Sequence, residues 1–229
     1  ALKARPKDVL EVRVPPNPEE AWAMVAALAK RQGVRVMSAS TKGSPKPKAD
    51  HDGRTSGAEA HIKEKEPLAW EEILPSSASD DPEQSGAGLW IALDQVQDPH
   101  NVGAIFRTAG FFGVKGILMT QDRSAPLTSA VYDVSCGGIE TVPFAVMPNL
   151  QRGFEIAKDR GLWILGTSEH AQADLKSVSR DRPWLLVLGN EEKGMRRLTE
   201  EACDLVCAIK PAGDGVTSLN VSVASGILI

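Results

Sequence analysis

From residue 89 onward the sequence alternates between short unbroken apolar runs and stretches with helical spacing, and no other feature constrains the fold as strongly. The apolar runs are "LWIALD" (89–94), "GILMT" (116–120), "TVPFAV" (141–146), "LWILGT" (162–167), "WLLVLG" (184–189) and "DLVCAI" (204–209). Runs of this length suit strands buried on both faces, and parallel strands need helical crossovers between them. Helices are predicted near 101–112, 127–136, 149–160 and 194–203, with a last one from about 219. The pattern predicts an α/β domain built on a parallel sheet covered on both sides.

The first part of the chain reads as a smaller α/β unit. "DVLEVRV" (8–14) alternates like a strand, residues 18–33 form a helix opened by Pro and Glu and closed by Gly33, "VRVMSA" is a second strand, and 58–65 add a third. Residues 42–57, rich in Lys, Pro, Gly and Ser, read as loop, and "ILPSSASDDPEQSGAG" (73–88) reads as a linker. The expected division is therefore 1–72, a linker 73–88, and 89–229. The chain opens without Met in a helical pattern and stops in the apolar run "VSVASGILI", and is read as the ordered portion of a longer protein with its last helix cut short.

Charge and cysteine usage narrow the setting. Net charge is −4, yet residues 1–66 hold 13 Lys and Arg against 9 Asp and Glu, while the remaining 163 hold 13 against 21. Steering follows local charge, so a polyanion would meet the N-terminal part first. No apolar run approaches the roughly 18–20 residues of a membrane span. Cys136, Cys203 and Cys207 lack paired metal-ligand spacing and are expected to be reduced core or near-core residues, with no metal. A soluble protein of the bacterial cytoplasm is expected, with an organelle as the alternative.

Ligands of open α/β sheets sit beyond the carboxyl ends of the strands, and three such ends carry dense polar and glycine clusters. In "DQVQDPHNVGAIFRTAG", Asp98 and Asn101 can cap a helix, Gly103 allows close backbone approach, and Arg107 emerges about two turns in. In "LVLGNEEKGM" (186–195), Gly189, Asn190, Glu191 and Gly194 form a turn whose backbone can bond a polar ligand. In "IKPAGDGVTSLNVSVASGI" (209–227), Ser218 and Asn220 stand at the start of the final helix. Ser218 as N-cap explains one polar residue, but not the Asn and Ser that interrupt the apolar face of "SLNVSVA". Neither GxxxxGK[ST] nor GxGxxG occurs, which disfavours a phosphate-cradling NTPase and a dinucleotide enzyme.

Taken together, "NVGAIFRTA", "LVLGNEEKGM" and "SLNVSVA" resemble motifs 1, 2 and 3 of the SpoU (TrmH-like) branch of the SPOUT RNA 2′-O-ribose methyltransferases, and "SCGGIETVPF" (135–144) is similar to a further family segment. The resemblance covers 89–229, and residues 1–66 more loosely resemble the L30e-like RNA-binding domain of the ribosomal-RNA members, whose opening strand would lie upstream of residue 1. It implies a SPOUT-type sheet with a C-terminal trefoil knot that holds S-adenosylmethionine. By match to the motifs, Thr167, Gly189, Gly194, Ile209 and Leu219 would contact the cofactor. It further implies a homodimer in which Arg107 faces the cofactor of the partner subunit, with Asn101, Glu191, Ser218 and Asn220 orienting Arg107 and the ribose. The implied activity is methylation of a ribose 2′-hydroxyl, in 23S-type ribosomal RNA with guanosine favoured. Transfer RNA is the second substrate, and a catalytically silent RNA-binding SPOUT protein is the alternative of another class.

A guanidinium stays protonated at ordinary pH. Arg107 is therefore read as a cation that grips the adjacent RNA phosphate and stabilises developing alkoxide, with the general-base role proposed for the matching family arginine, or proton transfer to the phosphate itself, as the alternatives. Two positions depart from the motifs. Glu192 stands where a small residue is usual, and "IKPAG" replaces the usual "IPM", so altered loop shape is expected.

Overall fold

The computed structural model describes residues 1–38, 58–76, 88–213 and 215–229, and the chain divides into two compact units, Ala1–Lys65 and Glu66–Ile229. The predicted loop 42–57 and most of the predicted linker 73–88 lie outside the described residues.

The first unit comprises β1 (Val9–Val14), α1 (Glu20–Arg31), β2 (Arg35–Ser38) and β3 (Glu59–Ile62). Its sheet has the order β2-β1-β3, with β2 parallel and β3 antiparallel to β1. Val9, Val12 and Val14 pack with Ala29 of α1 and Val34 into a small core. Lys30 and Arg31 fall in the last turn of α1, where cations meet the negative end of the helix dipole.

The second unit runs α2 (Trp70–Ile73), β4 (Leu89–Leu93), α3 (Pro99–Phe112), β5 (Gly116–Thr120), α4 (Ser129–Ser135), α5 (Gly138–Thr141), β6 (Phe144–Met147), α6 (Leu150–Asp159), β7 (Trp163–Thr167), β8 (Ala173–Asp174), β9 (Trp184–Leu188), α7 (Arg197–Glu201), β10 (Leu205–Ala208) and α8 (Val221–Leu228). The seven strands lie in the order β6-β5-β4-β9-β7-β10-β8, and every pairing in the sheet is parallel. Strand β9 occupies the slot between β4 and β7, both earlier in the chain.

The unbroken apolar runs are explained by the two cores that flank the sheet. Along β4, Ile91 and Leu93 enter the core packed by α3, while Trp90 and Ala92 enter the opposite core packed by α6. Successive side chains of a strand point to opposite faces, so a strand with helices on both sides has no position for a polar residue. Helix α3 turns Val102, Ile105, Phe106 and Ala109, all fully buried, onto the first core at helical spacing.

Several boundaries differ from the sequence reading. The unit boundary falls at 65/66 rather than 72/73: Trp70 is buried on the second core, its indole Nε1 donates to the Gly153 carbonyl at 3.0 Å, and Leu68 N donates to Phe144 O. A lone tryptophan among charged residues gives no periodic signal, which is why this segment read as polar. Strand β6 begins at 144 rather than 141 because 138–141 close a helical turn, with Thr141 Oγ1 donating to Gly138 O at 3.0 Å. Helix α7 starts at 197, because 189–196 are loop. Cys207 is buried and Cys203 half-buried, but Cys136 is exposed, held at φ 48° as the residue that ends α4.

Candidate active site

The carboxyl ends of β7, β9 and β10 lie side by side and open into a cavity of about 640 Å³. Thr167 at the end of β7, Gly189 just after β9 and Ile209 just after β10 line it, together with Gly194 and Leu219, so all five residues expected to contact a cofactor share one cavity. Val221, Ala224 and Leu228 of α8 add an apolar wall. The size is ordinary for a small-molecule site. Thr167 anchors its own strand end by donating from Oγ1 to Val187 O at 2.8 Å, and Lys210 Nζ donates to Ala171 O at 2.6 Å, joining the loops after β7 and β10.

The wall formed by 189–196 has a fixed shape. Asn190 and Gly194 pair through both backbone bonds, at 3.0 and 2.9 Å, and Asn190 Oδ1 accepts the amides of Glu192 and Lys193 at 3.1 Å. Gly189 is required by crowding: a Cβ there would lie 2.4 Å from Gly194 C and Met195 N, both backbone atoms. The added charge of Glu192 therefore sits in a tightly closed turn that still lines the cavity.

Helix α3 carries the first cluster. Asp98 is its N-cap, accepting from His100 N at 2.9 Å, with Pro99 in the first turn and Gly113 at φ 75° beyond the end. Asn101 is not a cap. Its side chain donates from Nδ2 to Glu191 Oε1 at 2.9 Å and accepts at Oδ1 from Asn220 Nδ2 at 3.0 Å. The three clusters thus meet at one 94 %-buried asparagine. Gly103 lets α3 pack closely on α4, where a Cβ would lie 2.8 Å from Val134 Cβ and 3.0 Å from Val131 O.

Asn220, and not Ser218, caps the final helix: its Oδ1 accepts from Ser222 N at 2.9 Å and Ser222 Oγ at 2.6 Å. Ser218 is exposed and lines the cavity, as does Glu191. Arg107, Asn101 and Asn220 are not part of the lining. Arg107 projects from the outer side of α3, exposed, with no hydrogen-bond or ion-pair partner among the described residues.

Two residues that the sequence reading passed over hold the loop. Asp94, fully buried at the end of β4, accepts Arg196 Nε at Oδ1, 2.7 Å away, and Arg196 N at Oδ2, 2.9 Å away. Separated by 102 positions, they leave no local sequence signal. Cys207, also in the lining, has its thiol pushed up to about 11, first by burial and then by Asp174. A thiol so weakly acidic is no nucleophile near neutral pH. No group of three or more His, Cys, Asp or Glu among the described residues is placed to hold a metal ion, and no described helix is long and apolar enough to cross a membrane.

The model of the SpoU rRNA Methylase family matches residues 88–229. A 23S rRNA (guanosine-2′-O-)-methyltransferase of Nitrosomonas europaea, RlmB, is 47 % identical over 141 residues, which are 62 % of this chain and 54 % of that protein. The chain thus matches little more than half the length of this relative. The TrmH-family protein YacO of Bacillus subtilis is 37 % identical over 207 residues, 90 % of this chain and 79 % of its own. Among solved structures, the AdoMet-bound rRNA methyltransferase of Sinorhizobium meliloti shares the fold, with a TM-score of 0.73 at 21 % identity over 96 % of this chain and 78 % of its own.

Proposed function

This chain belongs to the SpoU rRNA Methylase family, and we propose on that premise that it methylates a ribose 2′-hydroxyl of RNA, using S-adenosylmethionine held in the cavity beyond β7, β9 and β10. The observation that carries the reading is the meeting of Glu191, Asn101 and Asn220, one residue from each polar cluster, in a continuous hydrogen-bonded chain beside that cavity. A purely structural helix contact would not need three polar groups at the ends of three separate crossovers. Large-subunit ribosomal RNA, with guanosine as the target, is the substrate favoured by likeness to the Nitrosomonas protein, and transfer RNA is the second.

The cavity fits the cofactor in volume and in its mixture of apolar wall and backbone polar groups, and when bound the cofactor supplies a methyl group on a sulfonium, ready for displacement. The chain's own part is to bring the ribose hydroxyl into line and to stabilise the charge that develops on its oxygen. Arg107, exposed and without a partner among the described residues, is the cation for the neighbouring phosphate. In the proposed arrangement it serves the cofactor of a second copy in a homodimer, and Ser218, at the cavity edge, meets the ribose. The slot of β9 between β4 and β7 supports a knotted C-terminal region, and the basic first unit supports an L30e-like role in RNA capture in the bacterial cytoplasm.

The test is methyl transfer from labelled S-adenosylmethionine to unmodified 23S and transfer RNA, with Arg107→Ala alongside. Label that resists alkaline cleavage in 23S RNA, and is lost in the variant, supports the reading. Label in transfer RNA alone moves the substrate, and cofactor binding without transfer to either RNA returns the silent RNA-binding protein.

A further inference from the structure

We propose that Asp94 is a positioning residue that fixes the 189–196 wall of the cavity and thereby sets the affinity for S-adenosylmethionine, an inference that rests on the reading that this cavity takes that cofactor. Asp94 does not line the cavity, so it acts through what it holds. Its carboxylate is fully buried, and such groups persist only when their oxygens are paired. Both oxygens go to one residue: Oδ1 to the Arg196 guanidinium and Oδ2 to the Arg196 amide. Two bonds to one residue fix its direction as well as its place.

The next residue completes the device. Gln95 has φ 62°, a left-handed conformation that costs a non-glycine residue free energy. Its carbonyl accepts from Asn190 Nδ2 at 2.9 Å, at the other end of the same loop. Consecutive residues 94 and 95 thus clamp both ends of 189–196, while the paired backbone of Asn190 and Gly194 stiffens what lies between. The strand end itself is secured, because Asp94 N donates to Leu188 O at 2.8 Å. Residues 94 and 95 also lead directly into α3, so the clamp ties the cofactor wall to the helix that bears Asn101 and Arg107. A wall held in its binding geometry loses no conformational freedom when the ligand arrives, and releasing it lowers affinity without removing any contact to the ligand.

Asp94→Asn and Arg196→Gln separate this role from general stability; Arg196 is partly exposed, so the second variant is expected to fold even if the first does not. Calorimetric titration of the full chain with S-adenosylmethionine is expected to show Kd raised tenfold or more in either variant. Amide exchange across 190–196 is expected to quicken by a similar factor, while β7 and β9 keep their protection. A loosened wall with Kd within twofold of wild type overturns the proposal and leaves the cofactor reading standing, and unchanged exchange at 190–196 overturns it as well. A wild-type chain that does not bind S-adenosylmethionine overturns the cofactor reading, and the proposal with it.

Discussion

Asn101 and Glu191, ninety positions apart, share a 2.9 Å hydrogen bond that decides the direction of every bond beyond it. A carboxylate only accepts, so the Asn101 amide must turn its NH2 toward Glu191. Its carbonyl is left to accept from Asn220 Nδ2, and Asn220 Oδ1 is then free to cap α8. One charge orients two amides and a helix. Glu191→Gln, which can donate or accept, removes that constraint. Turnover is expected to fall about 10²-fold, roughly 2.7 kcal/mol of transition-state stabilisation, with the Kd for S-adenosylmethionine within about threefold. Single-turnover kinetics beside equilibrium titration read both quantities.

Arg107 separates charge from shape. Arg107→Ala is expected to lower methyl transfer by about 10²- to 10³-fold, the usual effect of removing one preorganised donor. Arg107→Lys is expected to recover only part, since an ammonium is a point charge without the planar fork that grips a phosphate. The same assays at two salt concentrations should show a shallower dependence of RNA affinity on salt for the alanine variant.

Gly189→Ala puts a methyl group 2.4 Å from two backbone atoms, Gly194 C and Met195 N, neither of which can rotate away. The wall must shift. Cofactor affinity is expected to drop more than about tenfold, with about 1–3 kcal/mol of stability lost to overpacking. Calorimetric titration and denaturant unfolding of the same preparation measure the two effects.

Thiol chemistry should follow burial. The Cys203 thiol is pushed up to about 12, first by burial and then by Asp204, and that of Cys207 to about 11. Near pH 8 alkylation of the folded chain is expected to modify Cys136 alone among the three, with the others reacting only after unfolding. The linkage sign follows. Above pH 9 the unfolded chain releases thiol protons that the folded chain retains, so stability falls as pH rises from about 9 towards 11 and 12. Urea midpoints at pH 8 and pH 10 should differ less in a Cys203→Ala variant than in wild type.

The sequence exposed what depends on neighbours along the chain. The apolar runs from 89 to 209 foretold strands buried on both faces, and the turn chemistry of "DPHNVG" marked the start of α3 to within two residues. Where a motif names residues, as with Asn101, Glu191 and Asn220, the structure brings the three side chains together, although only Asn101 is buried. The site was illegible where a pair forms across the sheet. Asp94 and Arg196 looked like an acidic strand end and a basic helix start, and only their burial together reveals the clamp. Ser and Asn are equally good caps, so the sequence leaves Ser218 open as the start of the last helix; Asn220 takes that place while also bonding Asn101. Trp70 carries no local signal because the core that receives it is assembled from β4, β5 and α6, and its indole bonds Gly153, eighty-three positions on.

The place of β9 also governs the order in which the second unit can be completed. Its partners β4 and β7 are finished by residue 167, yet both face an open slot until residues 184–188 arrive. The β4 to β9 contact spans about ninety-five positions, and loops of that length close slowly because the entropy cost precedes the reward. A chain still emerging from the ribosome therefore presents one open edge of β4, and a β7 whose two neighbours, β9 and β10, are both still to come. The same five residues that seal this gap, "WLLVL", run straight into Gly189 and the cavity wall. The binding site consequently takes form only when the centre of the sheet does, and a half-made molecule has no cavity with which to sequester cofactor.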